Sequence, residues 1–265
     1  MKPTIVYIHG LNTYGDGLVH LGPFIFGAMK DKWELAMRAQ GFDFVSVRGI
    51  GYGTLEEQTE RAFTFLRDEG VLEKKRDLVF ACHSLGGLIG RALVARPEIR
   101  ERAKGLFTFG TPHGGAHVTD VALTLGEKAP LLQKLLKITG YDVAARRDTF
   151  ANFTREVIAD FDRRHPVPEG LRCVSLLCEA RGLEIGWPLV AVYSRLKTIV
   201  PDALGDGFIL SSSQRWCETM GPFALDHFAE MGFFFHISPL NRARAKREFD
   251  RLTSTVAKLA LEATA

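Results

Sequence analysis

Short apolar runs alternate with segments of helical periodicity along the first 110 residues. Four apolar runs predict buried strands, at residues 5–8, 42–47, 78–81 and 106–109. Three stretches with apolar residues at helical spacing predict helices, at residues 24–39, 56–66 and 86–94. Strands that alternate with helices at this pitch indicate βαβ units. The predicted fold class is therefore α/β, with a mostly parallel central sheet covered by helices on both faces.

The alternation stops after Pro112. Residues 121–164 have a mostly helical pattern without a convincing strand, and the leucines at 131, 132, 135 and 136 fall on one side of a helix. Two interpretations stay open, an ordinary amphipathic helix packed on the core or a cap over a site at the sheet edge. Residues 186–200 form a second apolar excursion. We expect one domain over residues 1–265, with cap or lid insertions at about 117–168 and 180–203.

The clearest helix of the chain is the last one. Ser238 is a suitable N-cap, and Pro239 suits the first turn. Apolar residues then recur at 3-4-3 spacing, at Phe249, Leu252, Val256 and Leu259. The basic residues between them predict a solvated face, and residues 171–178 before this helix predict one more strand.

Composition and charge exclude several classes of protein. The 265 residues are 46% hydrophobic, and 34 Lys and Arg against 31 Asp and Glu leave a net charge of only +3, too little to indicate a nucleic-acid partner. No apolar run approaches the length of a membrane span, and the absence of a signal sequence predicts a cytoplasmic protein. Four cysteines without repeated CxxC spacing indicate neither a zinc ribbon nor a disulfide scaffold, at Cys82, Cys173, Cys178 and Cys217.

The segment from Cys82 to Gly86 follows a predicted strand and opens a predicted helix. This context is typical of a nucleophile elbow, a sharp turn that lifts a serine hydroxyl, here that of Ser84, above the strand ends. Gly86 is the small residue required on one side of the serine. Cys82 stands where the G-x-S-x-G pattern has glycine and departs from it. The alternative interpretation is a glycine-rich turn that carries an inert serine.

The first strand ends in His9-Gly10-Leu11. In an acyl-transfer enzyme, a backbone N–H of this loop joins the N–H after the nucleophile to form an oxyanion hole. We assign these two donors to Leu11 and Leu85. Gly10 would let the backbone approach the substrate without a side chain in between.

The acid and the base of such an enzyme follow the nucleophile in the order Asp or Glu, then His. Asp206 lies between two glycines in a turn that precedes a strand-like segment, and Asp202 is the second candidate. His227 is preferred as the base because its surroundings are polar. His236 follows three phenylalanines and has the pattern of a packed core residue.

A set of motifs resembles the α/β-hydrolase superfamily, in its lipase and esterase branch with bacterial triacylglycerol lipases and GPI inositol-deacylases. The motifs are His9-Gly10-Leu11-Asn12, His83-Ser84-Leu85-Gly86-Gly87, Thr111-Pro112-His113-Gly114-Gly115, Gly205-Asp206-Gly207 and Asp226-His227. The resemblance extends from Ile5 to about Gly232, apart from the two excursions. It implies hydrolysis of carboxylic esters without a cofactor, above the carboxyl ends of the strands.

The expected function is therefore a serine hydrolase with the triad Ser84, Asp206 and His227, which cleaves small-molecule or lipid esters. Apolar excursions favour a hydrophobic acyl group and are compatible with contact at lipid surfaces without a transmembrane segment. The spacing of His113 and His117 fits a metal site only on a helix, which the intervening glycines disfavour, so no metal is expected. The alternative is a non-catalytic module of the same fold that binds a lipid or protein partner.

Overall fold

The computed structural model describes residues 1–11, 18–21, 24–117, 119, 147–201 and 204–265. Their strands are β1 (Thr4–Ile8), β2 (Leu18–Leu21), β3 (Phe24–Ala28), β4 (Asp43–Ser46), β5 (Leu78–His83), β6 (Ala103–Phe109), β7 (Arg172–Cys178) and β8 (Glu218–Phe223). Their α-helices are α1 (Asp31–Ala39), α2 (Leu55–Asp68), α3 (Leu85–Val94), α4 (Pro97–Arg100), α5 (Arg147–Ala151), α6 (Arg155–Arg164), α7 (Val190–Ile199), α8 (Ser211–Gln214) and α9 (Pro239–Glu262). Short 3₁₀ helices lie at Gly182–Glu184 and Ala229–Met231.

Six of these strands form one parallel sheet in the order β4-β1-β5-β6-β7-β8. The register pairs Ile8 with Cys82 and Cys82 with Thr108 across the three central strands. Helices surround this sheet, which confirms the predicted α/β class. Because all six strands run the same way, their carboxyl ends meet at one edge, and Ser84 follows the end of β5.

The core has two layers, one on each face of the sheet. Along β1, Ile5 and Tyr7 face one layer while Val6 and Ile8 face the other. Trp33 of α1 belongs to the first layer, where its ring packs beside that of Tyr7 at a centroid distance of 5.7 Å. Burial on both faces explains why the central strands are continuous apolar runs rather than alternating ones.

The prediction of a helix over residues 24–39 is correct only from Asp31 onward. Residues 24–28 form β3, which pairs with β2 in an antiparallel hairpin. Gly27 adopts a φ of +130°, which no helix contains. The β-branched and aromatic side chains of Phe24, Ile25 and Phe26 also favour a strand.

The final helix and the predicted insertions differ in how far the structure tests them. Ser238 accepts a hydrogen bond from the backbone N–H of Asn241, and Pro239 opens the helix, as predicted. The leucines at 131–136 lie outside the described residues. Helices α5, α6 and α7 fall within the predicted insertion ranges, and the domain organisation stays a prediction. No described helix has the length and apolarity needed to span a membrane, and the cytoplasmic location also stays a prediction.

Candidate active site

Ser84 occupies a sharp turn between β5 and α3. Its backbone has φ of +53° and ψ of −126°, and it is the only non-glycine residue with positive φ in the described part of the chain. Such a conformation is strained for a residue with a side chain, and strain of this kind concentrates at functional sites. The strand, turn and helix around Ser84 have the geometry expected of a nucleophile elbow.

Three glycines allow the backbone to close around this turn. A Cβ on Gly10 would lie 2.7 Å from the Cβ of Ser84 and 3.3 Å from its Oγ. A Cβ on Gly86 would collide with the carbonyl of Ile8, and one on Gly87 would collide with the side chain of Thr111. The two motifs that follow β1 and β5 are therefore in direct contact, and glycine is required at each position by the lack of space.

The departure at Cys82 is matched by a glycine elsewhere. Cys82 is fully buried, and its Sγ points at Gly90 on α3. A Cβ on Gly90 would lie 2.7 Å from this sulfur. In the usual pattern the glycine is on the strand, two residues before the nucleophile. Here the strand carries Cys82, and the glycine that makes room for its side chain is Gly90 on the facing helix.

Asp206 and His227 are joined by a direct hydrogen bond. The Nδ1 of His227 lies 2.8 Å from the Oδ2 of Asp206, and both side chains are almost fully buried. The other carboxylate oxygen accepts hydrogen bonds from the backbone N–H groups of Phe208 at 2.8 Å and Ile209 at 2.6 Å. The backbone N–H of His227 also donates to the carbonyl of Asp206 at 2.9 Å. These bonds fix the imidazole through Nδ1 and the backbone, and Nε2 takes no part in the bond to Asp206.

The competing candidates have other partners. His236 lies with its Nε2 2.9 Å from the carbonyl oxygen of Glu184. Asp226 accepts hydrogen bonds from the backbone N–H groups of Gly186 and Ala229 rather than from an imidazole nitrogen of its neighbour His227. Asp202 lies outside the described residues.

Ser84 and His227 share a common neighbourhood. The ring of His83, next to Ser84, lies 4.6 Å from the ring of His227 between centroids. Phe208 stacks on His227 at 5.4 Å and lines the same cavity as Ser84. Both residues lie in the described part of the chain, and the Ser84 hydroxyl is not hydrogen-bonded to the imidazole of His227. In ligand-free enzymes the bond from nucleophile to base is often long and tightens only with substrate.

The cavity beside Ser84 has predominantly apolar walls. Besides Ser84 it is lined by Leu11, Pro112, Ala116, Thr119, Phe150, Phe153, Phe208 and Ile209. Leu11 thus borders the cavity, and its part in an oxyanion hole stays a prediction. Leu85 is the first residue of α3, where a backbone N–H has no partner within the helix.

The Thr-Pro-His-Gly block after β6 connects the elbow to the loop of the acid. The guanidinium of Arg91 donates to Nδ1 of His113 at 3.3 Å, so the protonated Nε2 donates to the hydroxyl of Thr108 at 3.0 Å. The N–H of Gly114 donates to the carbonyl of Ser213 at 3.0 Å. Both ring nitrogens of His113 are therefore occupied by structural hydrogen bonds.

Gln214 is a buried residue that the sequence pattern does not single out. Its amide oxygen accepts the backbone N–H of Cys178 at 2.9 Å, and its amide nitrogen donates to the carbonyls of Cys178 and Ile209 at 3.0 and 3.2 Å. Through these bonds Gln214 connects the end of β7 to the loop in which Asp206 lies.

Glu230 is the other residue that sequence reasoning missed. Its carboxyl is completely buried, and its Oε2 lies 3.1 Å from Nε2 of His83 and 3.8 Å from Nδ1 of His227. Burial raises the pKa of Glu230 well above its usual range, and the charge of Asp206 raises it further. Burial also lowers the pKa of His83, so its ring is neutral. The weak signal in the sequence is its position three residues after His227.

The cluster of His83, His227 and Glu230 contains three groups that metals bind. Their ligand atoms lie within 4.8 Å of one another, and no second such group occurs among the described residues. The cluster belongs to the candidate active site, because its members are the imidazole that binds Asp206, the imidazole next to Ser84 and the carboxyl of Glu230.

A larger cavity of about 330 Å³ lies away from Ser84, between α2, α3 and α6. Its acidic and basic groups are paired with one another. Arg96 pairs with Glu60, and Arg164 pairs with Glu56. The remaining titratable group of its lining is His165, whose ring stacks on Phe161 and whose Nδ1 lies 3.1 Å from the carbonyl oxygen of Phe161.

Comparison with solved structures finds the same fold in lipases and esterases. Staphylococcus hyicus lipase matches with a TM-score of 0.69 and 11% identity, over 100% of this chain and 98% of its own. The mature Bacillus licheniformis lipase BlEst2 matches with a TM-score of 0.65 and 17% identity, over 87% and 86% of the two chains. The metagenomic carboxyl esterase MGS0156 matches with a TM-score of 0.67 and 19% identity, over 98% and 75%.

No family model matches the sequence, and no curated protein matches it either. The structural matches confirm the expected resemblance at the level of the fold. The chain has the α/β-hydrolase fold found in lipases and esterases.

Proposed function

We propose that this protein is a serine hydrolase that cleaves carboxylic esters. The proposal rests above all on the 2.8 Å hydrogen bond between the buried side chains of His227 and Asp206, beside the strained turn at Ser84. In this assignment Ser84 is the nucleophile, His227 is the general base, and Asp206 orients the imidazole and stabilises its protonated form. The lipases and esterases among the structural matches support ester hydrolysis as the reaction class.

The reaction proceeds in two steps through an acyl-enzyme. The Oγ of Ser84 attacks the ester carbonyl while Nε2 of His227 takes the hydroxyl proton. The oxyanion accepts hydrogen bonds from the backbone N–H groups of Leu11 and Leu85, each worth about 3 kcal/mol in the transition state. His227 then gives its proton to the departing alcohol. A water molecule, activated by the same imidazole, releases the acid and restores Ser84.

The substrate proposed is an ester with a hydrophobic acyl group. The support is the apolar lining beside Ser84, to which Phe150, Phe153 and Phe208 contribute; the space it encloses is only about 10 Å³, so these side chains must move apart to admit an acyl chain. Apolar walls favour binding of a hydrocarbon chain in proportion to the area removed from water. Thioesters and amides require the same catalytic groups, so a comparison of acyl chains and leaving groups decides the class.

Contact with lipid surfaces is part of the proposal. Phe24 and Ile25 of β3 are 67% and 61% exposed, and Trp187 is 51% exposed. Phe26 and Trp187 both pack edge-on against Phe235, at 4.9 and 6.3 Å between ring centroids, so β3 and Trp187 contribute to the same surface region. Exposed apolar patches mark interaction sites, and aromatic side chains suit the boundary between lipid and water.

A fluorophosphonate probe, which labels activated serines, tests the catalytic assignment. We expect labelling of the wild-type protein and of the control Ser254→Ala, which removes an exposed serine of α9. Ser84→Ala should not be labelled, and His227→Ala should be labelled about 10⁴-fold more slowly. Circular dichroism should show that all variants are folded.

The outcomes of this experiment are distinct. Labelling of Ser84→Ala at the wild-type rate would refute Ser84 as the nucleophile. A wild-type protein without any labelling would favour the non-catalytic binding module. With p-nitrophenyl esters, preference for octanoate over acetate is expected, and the reverse preference would contradict the hydrophobic acyl group.

A further inference from the structure

Glu230 is an acid at the centre of the site that the proposed reaction does not use. Trp33 fixes its backbone, because the indole Nε1 donates to the carbonyl oxygen of Glu230 at 2.8 Å. Its carboxyl oxygen lies 3.8 Å from Nδ1 of His227, the same nitrogen that binds Asp206 at 2.8 Å. Two carboxyl groups thus converge on one imidazole nitrogen.

An ionised carboxyl does not fit this position. Neither oxygen of Glu230 receives a hydrogen bond of adequate geometry in the described part of the chain, and the side chain has no contact with water. The titratable groups around it are Tyr7, Cys178, His83, His227, Asp206 and Asp226. None of these groups is a lysine or arginine that could balance a second negative charge beside Asp206. Burial of an unpaired charge of this kind is strongly unfavourable.

A protonated carboxyl fits the same position well. Its O–H would have an acceptor in the Asp206 carboxylate, because Oε2 of Glu230 and Oδ2 of Asp206 both lie beside Nδ1 of His227, at 3.8 and 2.8 Å. Burial raises the pKa of Glu230, which favours the protonated form. The backbone is also shaped for the pair. Gly110 has φ of +57°, and a Cβ there would collide with the carboxyl of Glu230 and lie 3.1 Å from Oδ2 of Asp206.

We propose that Glu230 is a positioning residue that stays protonated and donates its O–H to Asp206, so that the two acids carry a single negative charge behind His227. The inference rests on the proposed function, in which Asp206 orients His227. Asp206 already accepts from the N–H groups of Phe208 and Ile209 and from His227. The O–H of Glu230 is one more donor to the Asp206 carboxylate, and its proton stays on Glu230 throughout the reaction.

Infrared spectroscopy tests the protonation directly. The difference spectrum between wild type and Glu230→Gln at pH 7 should contain the C=O band of a protonated carboxyl that is absent in the variant. A difference in the carboxylate bands instead would overturn the proposal. This measurement does not require turnover, so it remains informative if the probe experiment refutes the proposed function.

The pH dependence of kcat/KM tests the positioning role. In Glu230→Gln the neutral amide can also donate to Asp206, so we expect kcat within about threefold of wild type and an acid limb that does not move. If Glu230 carried a charge, its removal would destabilise the imidazolium and shift the acid limb by about one unit to lower pH. Such a shift would refute the proposal.

A leucine at the same position removes the donor. For Glu230→Leu we expect kcat to fall about tenfold or more while KM stays within about threefold, because the orientation of Asp206 is lost but the cavity is intact. Wild-type kcat in this variant would show that Glu230 only fills space. If the leucine variant does not fold, the infrared band and the pH profile of Glu230→Gln decide the question. The matched control is Glu248→Gln, which removes an acid of α9 that is paired with Arg251. It should change neither kcat nor KM.

Discussion

Gly90 on α3 lies directly against the thiol of Cys82 on β5. A Cβ at Gly90 would approach Sγ of Cys82 to 2.7 Å and the Cδ1 of Leu106 to 3.1 Å. Cys82 is the position at which this chain departs from the usual glycine before the nucleophile. The two residues therefore compensate for each other: Cys82 places a side chain on the strand, and Gly90, which has none, leaves room for it on the helix.

This pair predicts strong coupling between two substitutions. Gly90→Ala should lower the free energy of unfolding by about 1–3 kcal/mol, because the methyl group overpacks against the sulfur. In a Cys82→Ala background the same change should be neutral or stabilise by up to about 1 kcal/mol, because alanine is the better helix former. Urea unfolding of the four proteins in a double-mutant cycle measures this coupling. Additive effects would show that the sulfur does not limit the space.

The two neighbouring acids Asp206 and Asp226 should respond very differently to amidation. Asp206→Asn should lower kcat by about 10⁴-fold, because the amide favours the wrong tautomer of His227. Asp226→Asn should leave kcat within about threefold but lower stability by about 1–3 kcal/mol, since the hydrogen bonds that Asp226 accepts among the described residues come from backbone N–H groups, and the nearest imidazole, that of His236, lies 3.7 Å away. Steady-state kinetics and urea unfolding of both variants measure the contrast. A collapse of kcat in a folded Asp226→Asn protein would contradict the assignment of the acid.

The buried histidine His113 should make the protein sensitive to acid. Burial and the charge of Arg91 lower the pKa of His113 well below its usual value. The folded protein therefore binds this proton less readily than the unfolded chain, and the resulting stability is lost as the pH falls below about 6.5. The loss from this single group should approach about 1.4 kcal/mol per pH unit.

The variant His113→Gln isolates this contribution. Its stability deficit relative to wild type should shrink as the pH falls from about 6.5 to 5.5, because only wild type loses the histidine contribution. Trp216→Phe serves as the control, since it alters the ring stacked on His113 at 5.2 Å without removing a titratable group. Thermal or urea unfolding at several pH values provides the measurement. A deficit of His113→Gln that does not change with pH would refute the assignment.

The exposed side chains of β3 should determine binding to lipid. The double variant Phe24→Ser, Ile25→Ser should bind phosphatidylcholine vesicles at least about tenfold more weakly, because burial of one such side chain contributes about 1.5–3 kcal/mol. The matched control is Leu35→Ser, since Leu35 is 68% exposed but lies on α1. Vesicle sedimentation measures the binding. Equal loss in both proteins, or in neither, would contradict a specific lipid-binding patch.

Local features of the sequence were sufficient to predict much of the scaffold. The apolar runs that became β1, β5, β6 and β7 are buried on both faces, so their composition alone identifies them as strands of a parallel sheet. The turn at Ser84 was also predictable, because two of the three glycines that make room for it, Gly86 and Gly87, follow it within three residues. The hairpin of β2 and β3 was missed, because apolar spacing over residues 24–28 fits a helix as well as a strand.

The choice of partners depends on contacts between residues that are distant in the chain. Sequence order left two aspartates and two histidines as candidates, and only folding brings Asp206 to His227 and His236 to Glu184. Glu230 has no recognisable motif, and its role emerges only because Trp33, 197 residues earlier, fixes its backbone. Hydrophobic periodicity specifies which face of an element is buried, whereas hydrogen bonding and charge in the interior depend on the packing of all elements together.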